Sequence, residues 1–402
     1  MLLQLGAALA LATTASLAAS DQEAASRAVF INQTSEAIKA LNDRFYNVQT
    51  GVYDDAWWNS ANAITTMADF AAIDLAAANA INVGGYLRNT FIQAQKTDVR
   101  TVKAMMKNGR VSSTYCLDNR GGCMAKREFA KRGFDDFINE FYDDEGWWAL
   151  AWIRAYDVSG DRQYLEAAAS LFKDMQTGSG TPCGGGIFWN KERKYVNSIA
   201  NQLFFAVAAS LANRMPKQPV DYLSLARAQW TWFEKSGMVN RNGLVNDGLD
   251  GTCKNNGLPT WTYNQGVIIG ALVEMSRASG ERRLLDRAAA FADAALSSPL
   301  QGKDGILHEV DNCETKAGNC GKDGQQFKGI FIRNLRYLYL AQRKPDGKYR
   351  DFILRNARSV WEKDRAAGAS LLGPAWAGPY IAATGPSQSS ALDALVAAVA
   401  VA

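Results

Sequence analysis

A short turn, Ser159-Gly160-Asp161-Arg162, returns as Ser279-Gly280-Glu281-Arg282. Both copies are followed by Leu and Ala at the same offsets, Leu165 and Ala168, then Leu285 and Ala288. Apolar residues on either side of the first copy keep the 3.6-residue period: Trp147, Trp148, Ala151, Trp152 and Ala155 before it, and Tyr164, Leu165, Ala168, Leu171, Phe172 and Met175 after it. The repeated unit is therefore a helical hairpin. A single hairpin leaves an apolar face uncovered, so a chain built of such units must stack them or close them on themselves.

The same period predicts helices over 22–44, 56–75, 82–98, 144–158, 161–175, 197–213, 220–236, 264–278, 281–296, 328–343, 347–366 and 387–401, and leaves little room for strands. Segments such as "LFFAVAASLA" over 203–212 and "VIIGALVEM" over 267–275 are apolar nearly all round, whereas their partners carry charged outer faces. An inner ring enclosed by an outer ring follows, an all-α toroid of six hairpins. Links inside a pair are short, at Ser159-Gly160, Pro216 to Val220, Ser279-Gly280 and Pro345 to Gly347. Links between pairs, 99–143, 176–196, 237–263 and 297–327, are long, Gly-rich and cysteine-bearing. The long loops thus gather on the face where the inner helices begin, the usual place for a site on a rigid scaffold.

Residues 1–20 carry no charged side chain and read "LLQLGAALALA" before the small residues "SLAAS", the pattern of a secretory leader cleaved near Ser20 or Asp21. That leaves 21–402 as one domain. The net charge of +4 on 402 residues, with Lys and Arg scattered among acids, argues against a nucleic-acid partner. In an exported chain, Cys116, Cys123, Cys183, Cys253, Cys313 and Cys320 suit three disulfides: Cys116–Cys123 and Cys313–Cys320 share one short spacing, which leaves Cys183 for Cys253. None of the spacings is C-x-x-C, and His308 is the only histidine, so neither a metal site nor a His-activated nucleophile is expected. Asn32 opens a glycosylation sequon with Thr34.

Acid-base chemistry then falls to carboxylates. "YDDEGWW", with Asp143 and Asp144, and "YDDAWW", with Asp54 and Asp55, both fall at the start of predicted inner helices, and a third doublet is Asp135-Asp136. Capping of a helix N-terminus explains one aspartate per helix. A retaining glycosidase uses two, about 5 to 5.5 Å apart, and neighbours on a helical turn can reach that separation. Adjacent tryptophans suit the C–H faces of a sugar, though they equally suit a core. On the residues alone both readings stay open.

"YDDEGWWALAWIRAYDVSGDRQYLEAAASLFKDM", "GGGIFWN" at 184–190, "TYNQG" at 262–266 and "FKGIFIRNLRYL" at 327–338, in that order, resemble glycoside hydrolase family 76, the endo-α-1,6-mannanases and their fungal cell-wall relatives. The resemblance covers the chain after the leader. It implies an (α/α)6 barrel, retaining hydrolysis of α-1,6-linked mannan or mannooligosaccharides, no metal or organic cofactor, and catalysis by Asp143 as nucleophile and Asp144 as acid/base. Asp54-Asp55 is then a cap or a cleft wall, and Asp135-Asp136 a solvated or capping pair. Trp189 and Tyr263, inside matched motifs, and Asn197, Asn201, Asp247, Asn264 and Gln265, on the same face, are expected sugar ligands. The protein is expected to be secreted, at the cell wall, and monomeric. A transglycosylase with the same carboxylates and a non-catalytic carbohydrate-binding protein are the rivals. The tail "ALDALVAAVAVA" after "GPSQSS" is a marginal match to a lipid-anchor signal, interrupted by Asp393, and is expected instead as the twelfth helix, so a membrane partner enters only if an anchor is added.

Overall fold

The computed structural model describes residues 2–106, 108–118, 136–315 and 320–402. In chain order the helices are α1 (Leu2–Phe45), α2 (Trp57–Ile73), α3 (Leu75–Ala80), α4 (Val83–Ala94), α5 (Tyr142–Ser159), α6 (Arg162–Met175), α7 (Ser198–Arg214), α8 (Tyr222–Lys235), α9 (Thr262–Ser279), α10 (Arg283–Leu296), α11 (Gly321–Gly324), α12 (Phe327–Ala341), α13 (Gly347–Lys363) and α14 (Gly385–Val401). Strands β1 (Tyr46–Asn47) and β2 (Val52–Tyr53) pair, as do β3 (Asp98–Met105) and β4 (Val111–Asp118), both antiparallel.

Helices α2, α5, α7, α9, α12 and α14 close a ring in which each packs on the next and α14 returns to α2. Around it, α6 packs on α5 and α7, α8 on α7 and α9, α10 on α9 and α12, α13 on α12 and α14, α1 on α14, and α4 on α2. This is the double ring of an (α/α)6 barrel.

The repeated turn has one physical cause in both copies. Gly160 and Gly280 end α5 and α9 at φ 70° and 74°, a left-handed conformation in which a side chain is strained. Ser159 Oγ donates to the Ala155 carbonyl and accepts from the Asp161 N–H, and Ser279 Oγ does the same with Met275 and Glu281. Asp161 then accepts from Gln163 N and starts α6.

Inner helices approach closely where glycine allows it. A Cβ at Gly266 of α9 would stand 2.7 Å from Phe331 Cα of α12, and backbone there cannot swing aside. Gly266→Ala is therefore expected to destabilise the chain by about 1–3 kcal/mol, the usual range for overpacking, seen as a lower urea midpoint. An unchanged midpoint would show that the ring widens freely.

Three sequence expectations need correction. The sequence predicts a loop over 99–143, yet β3 and β4 form a hairpin there. The first helix, expected over 22–44, runs from Leu2, and α3 was not anticipated. Asp54 and Asp55 precede the inner helix α2 as expected, at φ 53° and 48° in the turn before its N-cap, Ala56. Asp54 Oδ2 instead accepts from Gly385 N at the start of α14, while Asp55 is exposed. Asp136 is exposed, and Asp135 lies outside the described residues.

Cys183–Cys253 and Cys313–Cys320 are bonded. Cys116 is also in a disulfide, and Cys123 lies outside the described residues. Asn32 is exposed on α1 and Thr34 is buried. Among the described residues no helix is long and apolar enough to cross a membrane.

Candidate active site

The start of α5 is held from both sides. Phe141 enters it extended, pairs with Asn190, and is followed by Tyr142, whose N–H donates to the Trp189 carbonyl. The first turn then presents Asp143, Asp144 and Glu145. At about 100° per residue these three diverge, and Glu145 pairs with Lys191. Asp143 and Asp144 converge on one cation.

That cation is Lys103 of β3. Its Nζ lies 2.9 Å from Asp143 Oδ1 and 2.6 Å from Asp144 Oδ1. Two oxygens held by one nitrogen are no farther apart than those distances together, 5.5 Å. The remaining oxygens have separate donors: Trp189 Nε1 to Asp143 Oδ2 at 2.8 Å, and Asn139 Nδ2 to Asp144 Oδ2 at 2.7 Å. The ammonium also lies 4.7 Å from the centre of the Phe141 ring.

The environments of the two acids differ. Asp144 is fully buried, and burial raises its pKa; Lys103 draws it back and the charge of Asp143 raises it again, to about 7. Asp143 is 7% exposed and also accepts from the Asp144 N–H in the first turn of the helix. Lys103 is pulled down by its own burial, but Asp143, Asp144 and Asp323 outweigh that and raise its pKa. A third acid, Asp247, is pushed up to about 6 by burial, moderated by hydrogen bonds from Tyr195 and Trp261, with Asp143's charge adding to the rise.

Aromatic rings continue the site inward. Trp58 and Trp147 stack at 5.5 Å, and Tyr263 lies on Phe327 at 3.9 Å and 6°. Trp58 Nε1 donates to Asp323 Oδ1 at 2.7 Å. Of each tryptophan doublet, then, one ring joins this wall, while Trp57 and Trp148 pack with Phe137 in the core.

Of the expected sugar ligands, Trp189, Asp247 and Tyr263 belong to this environment. The amides do other work. Asn197 accepts from Ala200 N as the cap of α7, Asn201 holds the backbone of Ile187, and Gln265 holds Val245 N and O. Asn264 is fully buried. Asn197, Asn201 and Gln265 thus shape the loops that carry Trp189 and Asp247, whereas neither polar atom of the Asn264 side chain has a hydrogen-bond partner among the described residues. His308 pairs with Glu314, and among the described residues no contact joins it to Asp143 or Asp144. Cys313, Glu314 and Cys320 cluster within 4.8 Å, but the two sulfurs are bonded to each other and offer no thiolate to a metal.

Lys103, Asn139 and Asp323 escape sequence inspection. The signal for Lys103 is the enrichment in β-branched residues, Val99, Thr101 and Val102 before and Val111 and Thr114 after Asn108-Gly109, which marks a hairpin. Asn139 and Asp323 carry no local signal.

The family model of glycosyl hydrolase family 76 matches residues 30–401. The chain belongs to that family. Among curated relatives, mannan endo-1,6-alpha-mannosidase DFG5 of Saccharomyces cerevisiae is 28% identical over 215 residues, covering 48% of this chain and 44% of that protein. DCW1 of Eremothecium gossypii, also a mannan endo-1,6-alpha-mannosidase, is 26% identical over 260 residues, 59% of this chain and 53% of that protein. The chain thus spans about half the length of the curated relatives it matches. Among solved structures, an inactive variant of the alpha-1,6-mannanase GH76A of Salegentibacter sp., with two adjacent aspartates replaced by asparagine and alpha-1,6-mannotriose bound, shares the fold with a TM-score of 0.71. It is 21% identical and covers 93% of this chain and 100% of its own.

Proposed function

We propose that the chain is a retaining glycoside hydrolase that cleaves α-1,6-mannosidic bonds of mannan with Asp143 and Asp144. The observation that carries this is the pair itself: two consecutive carboxylates, held by one cation no more than 5.5 Å apart, with burial raising the proton affinity of Asp144. The mannosidase relatives and the mannanase inactivated at two adjacent aspartates support the substrate and the roles.

In the first half, Asp143 attacks the anomeric carbon as Asp144 gives its proton to the leaving oxygen. The glycosidic C–O bond breaks and a glycosyl ester on Asp143 forms. In the second half, Asp144, now ionised, takes a proton from water, whose oxygen attacks the anomeric carbon; the bond from that carbon to Asp143 breaks, Asp143 leaves as a carboxylate, and the configuration is retained overall. Trp189 and Asn139 orient the two carboxyls, and Trp58, Tyr263 and Asp247 are suited to contact the sugar. The disulfides and the apolar leader fit an exported monomer acting at the cell wall.

Linear α-1,6-mannan given to the protein should yield short oligomers whose new reducing ends first appear in the α form by NMR. Elongated products would instead make it a transglycosylase, and no products would leave a binding protein. Because Asp144 must hold its proton and does so up to about pH 7, kcat/KM should fall as pH rises through 7. A flat profile from pH 6 to 9 would remove Asp144 from the role of acid.

A further inference from the structure

The place where a double displacement needs a sugar is already filled. A reacting anomeric carbon must lie about 3–3.5 Å from the nucleophile's oxygen, with its glycosidic oxygen in reach of the acid. Lys103 Nζ occupies that gap, 2.9 Å from one carboxylate and 2.6 Å from the other, and the side chain is only 3% exposed. Its charge has the sign that the anomeric carbon acquires in an oxocarbenium-like transition state.

The hairpin that delivers Lys103 is fastened around the mouth at separate points. Thr101 Oγ1 accepts from Asn139 Nδ2 at 3.1 Å, and Ser113 N, on the strand opposite Lys103, donates to Asp323 Oδ2 at 2.6 Å. Near its turn, Arg110 is ion-paired with Asp311, and Gly109 sits so close to Pro259 that a Cβ would come within 2.9 Å of the ring. β3 and β4 thus cross from the start of α5 to the loops before α9 and α12. Charged and titratable groups facing the ammonium are Asp143 and Asp144 of α5, Asp323 of α11 and Tyr115 of β4, which is influenced by the same carboxylates.

We propose that the β3–β4 hairpin is an autoinhibitory strap and Lys103 its plug, an internal competitor that holds the anomeric-carbon position until an incoming mannan chain displaces it. The proposal rests on the assignment of Asp143 and Asp144 as the catalytic pair. Opening the strap breaks the contacts named above, and the apparent affinity for substrate is reduced by the fraction of molecules in which it is closed.

Arg110→Ala releases the strap at its tip, away from the chemistry. Loss of that ion pair should lower KM for α-1,6-mannan by about tenfold and leave kcat unchanged, the scale of one charge-assisted hydrogen bond. Lys103→Met removes the plug and should lower KM at least as far. A substrate-independent readout accompanies these: with no sugar present, carbodiimide-driven coupling of glycine ethyl ester to Asp143 and Asp144, mapped by peptides, should be about tenfold faster in Arg110→Ala than in the parent. Equal labelling rates overturn the strap whatever the substrate proves to be. A fall in kcat at unchanged KM in Lys103→Met, with Arg110→Ala like the parent, also overturns it and makes Lys103 a positioning residue. Faster labelling without any cleavage of mannan would uphold the strap and sink the substrate assignment instead.

Discussion

Asp143→Asn and Asp144→Asn each lower kcat/KM on α-1,6-mannan by about 10⁴-fold or more, because neither half of a double displacement proceeds without its carboxylate. The two losses differ in kind. An aryl mannoside with an activated leaving group needs no proton, so Asp144→Asn should still release aryl alcohol in a burst and then stall at the glycosyl ester. Asp143→Asn should release none. Folding survives both changes. Asp144's pKa of about 7 stands above the ordinary carboxylate value, so the folded chain holds that proton more tightly than the unfolded chain does. Stability from this source is present at low pH and is lost as pH rises through 7. An amide escapes that loss, so the urea midpoint of Asp144→Asn should gain on the parent between pH 5 and pH 8. By contrast, Asp54→Ala removes the acceptor for Gly385 N at the start of α14, with a loss of about 0.5–2 kcal/mol and little change in turnover. Full activity in both Asp143→Asn and Asp144→Asn would show that the wrong doublet had been chosen.

What the sequence disclosed and what it hid divide by range. The turn at Ser159 and Ser279 was legible because serine, glycine and the following acid satisfy one another within five residues. Helix periods were legible for the same reason, and with them the ring. Asp143 and Asp144 stood out as a doublet at a helix start, a local pattern. Asp54 shows the limit: its cap was foreseen, but the helix it caps, α14, begins some 330 residues later. Lys103 meets Asp143 and Asp144 from forty residues upstream, through a hairpin whose register no local signal sets. Asn201 and Gln265 looked like sugar ligands because buried amides and sugar-binding amides have the same sequence signature. Only their partners tell them apart.

Charge in the barrel wall was equally hidden. The segments 203–212 and 267–275 are apolar nearly all round, whereas the inner helices α2 and α12 bury Asp69, Arg333 and Arg336. Arg333 binds Asp393 of α14 through both Nε and the outer nitrogen, at 2.9 and 2.6 Å. Asp393 is therefore the counterion of Arg333, and the residue that interrupts the apolar tail has a partner that no pattern within the tail could supply.

Asp69 is where that wall is most exposed to damage. Its carboxylate, fully buried, accepts from Arg154 Nε at 2.8 Å and also binds Arg336 and the Tyr337 hydroxyl. Burial alone would raise its pKa, but Arg154, Arg336 and Arg333 outweigh burial and hold it well below the usual carboxylate range. Asp69→Leu leaves Arg336 buried without its counterion, a change of the kind that destabilises by about 3–5 kcal/mol, and the urea midpoint at pH 7 should fall accordingly. Acid should narrow the gap. A group with a depressed folded pKa contributes stability above its unfolded pKa, near 4, and that stability is lost as pH falls below it. The parent should therefore approach the variant between pH 5 and pH 2. Activity of the folded variant should persist, because Asp69 lies eleven residues beyond Trp58 on α2, about 16 Å along the helix from the wall of the site. Equal midpoints at pH 7 would mean that Asp157 and Asp393 suffice to neutralise the three arginines without it.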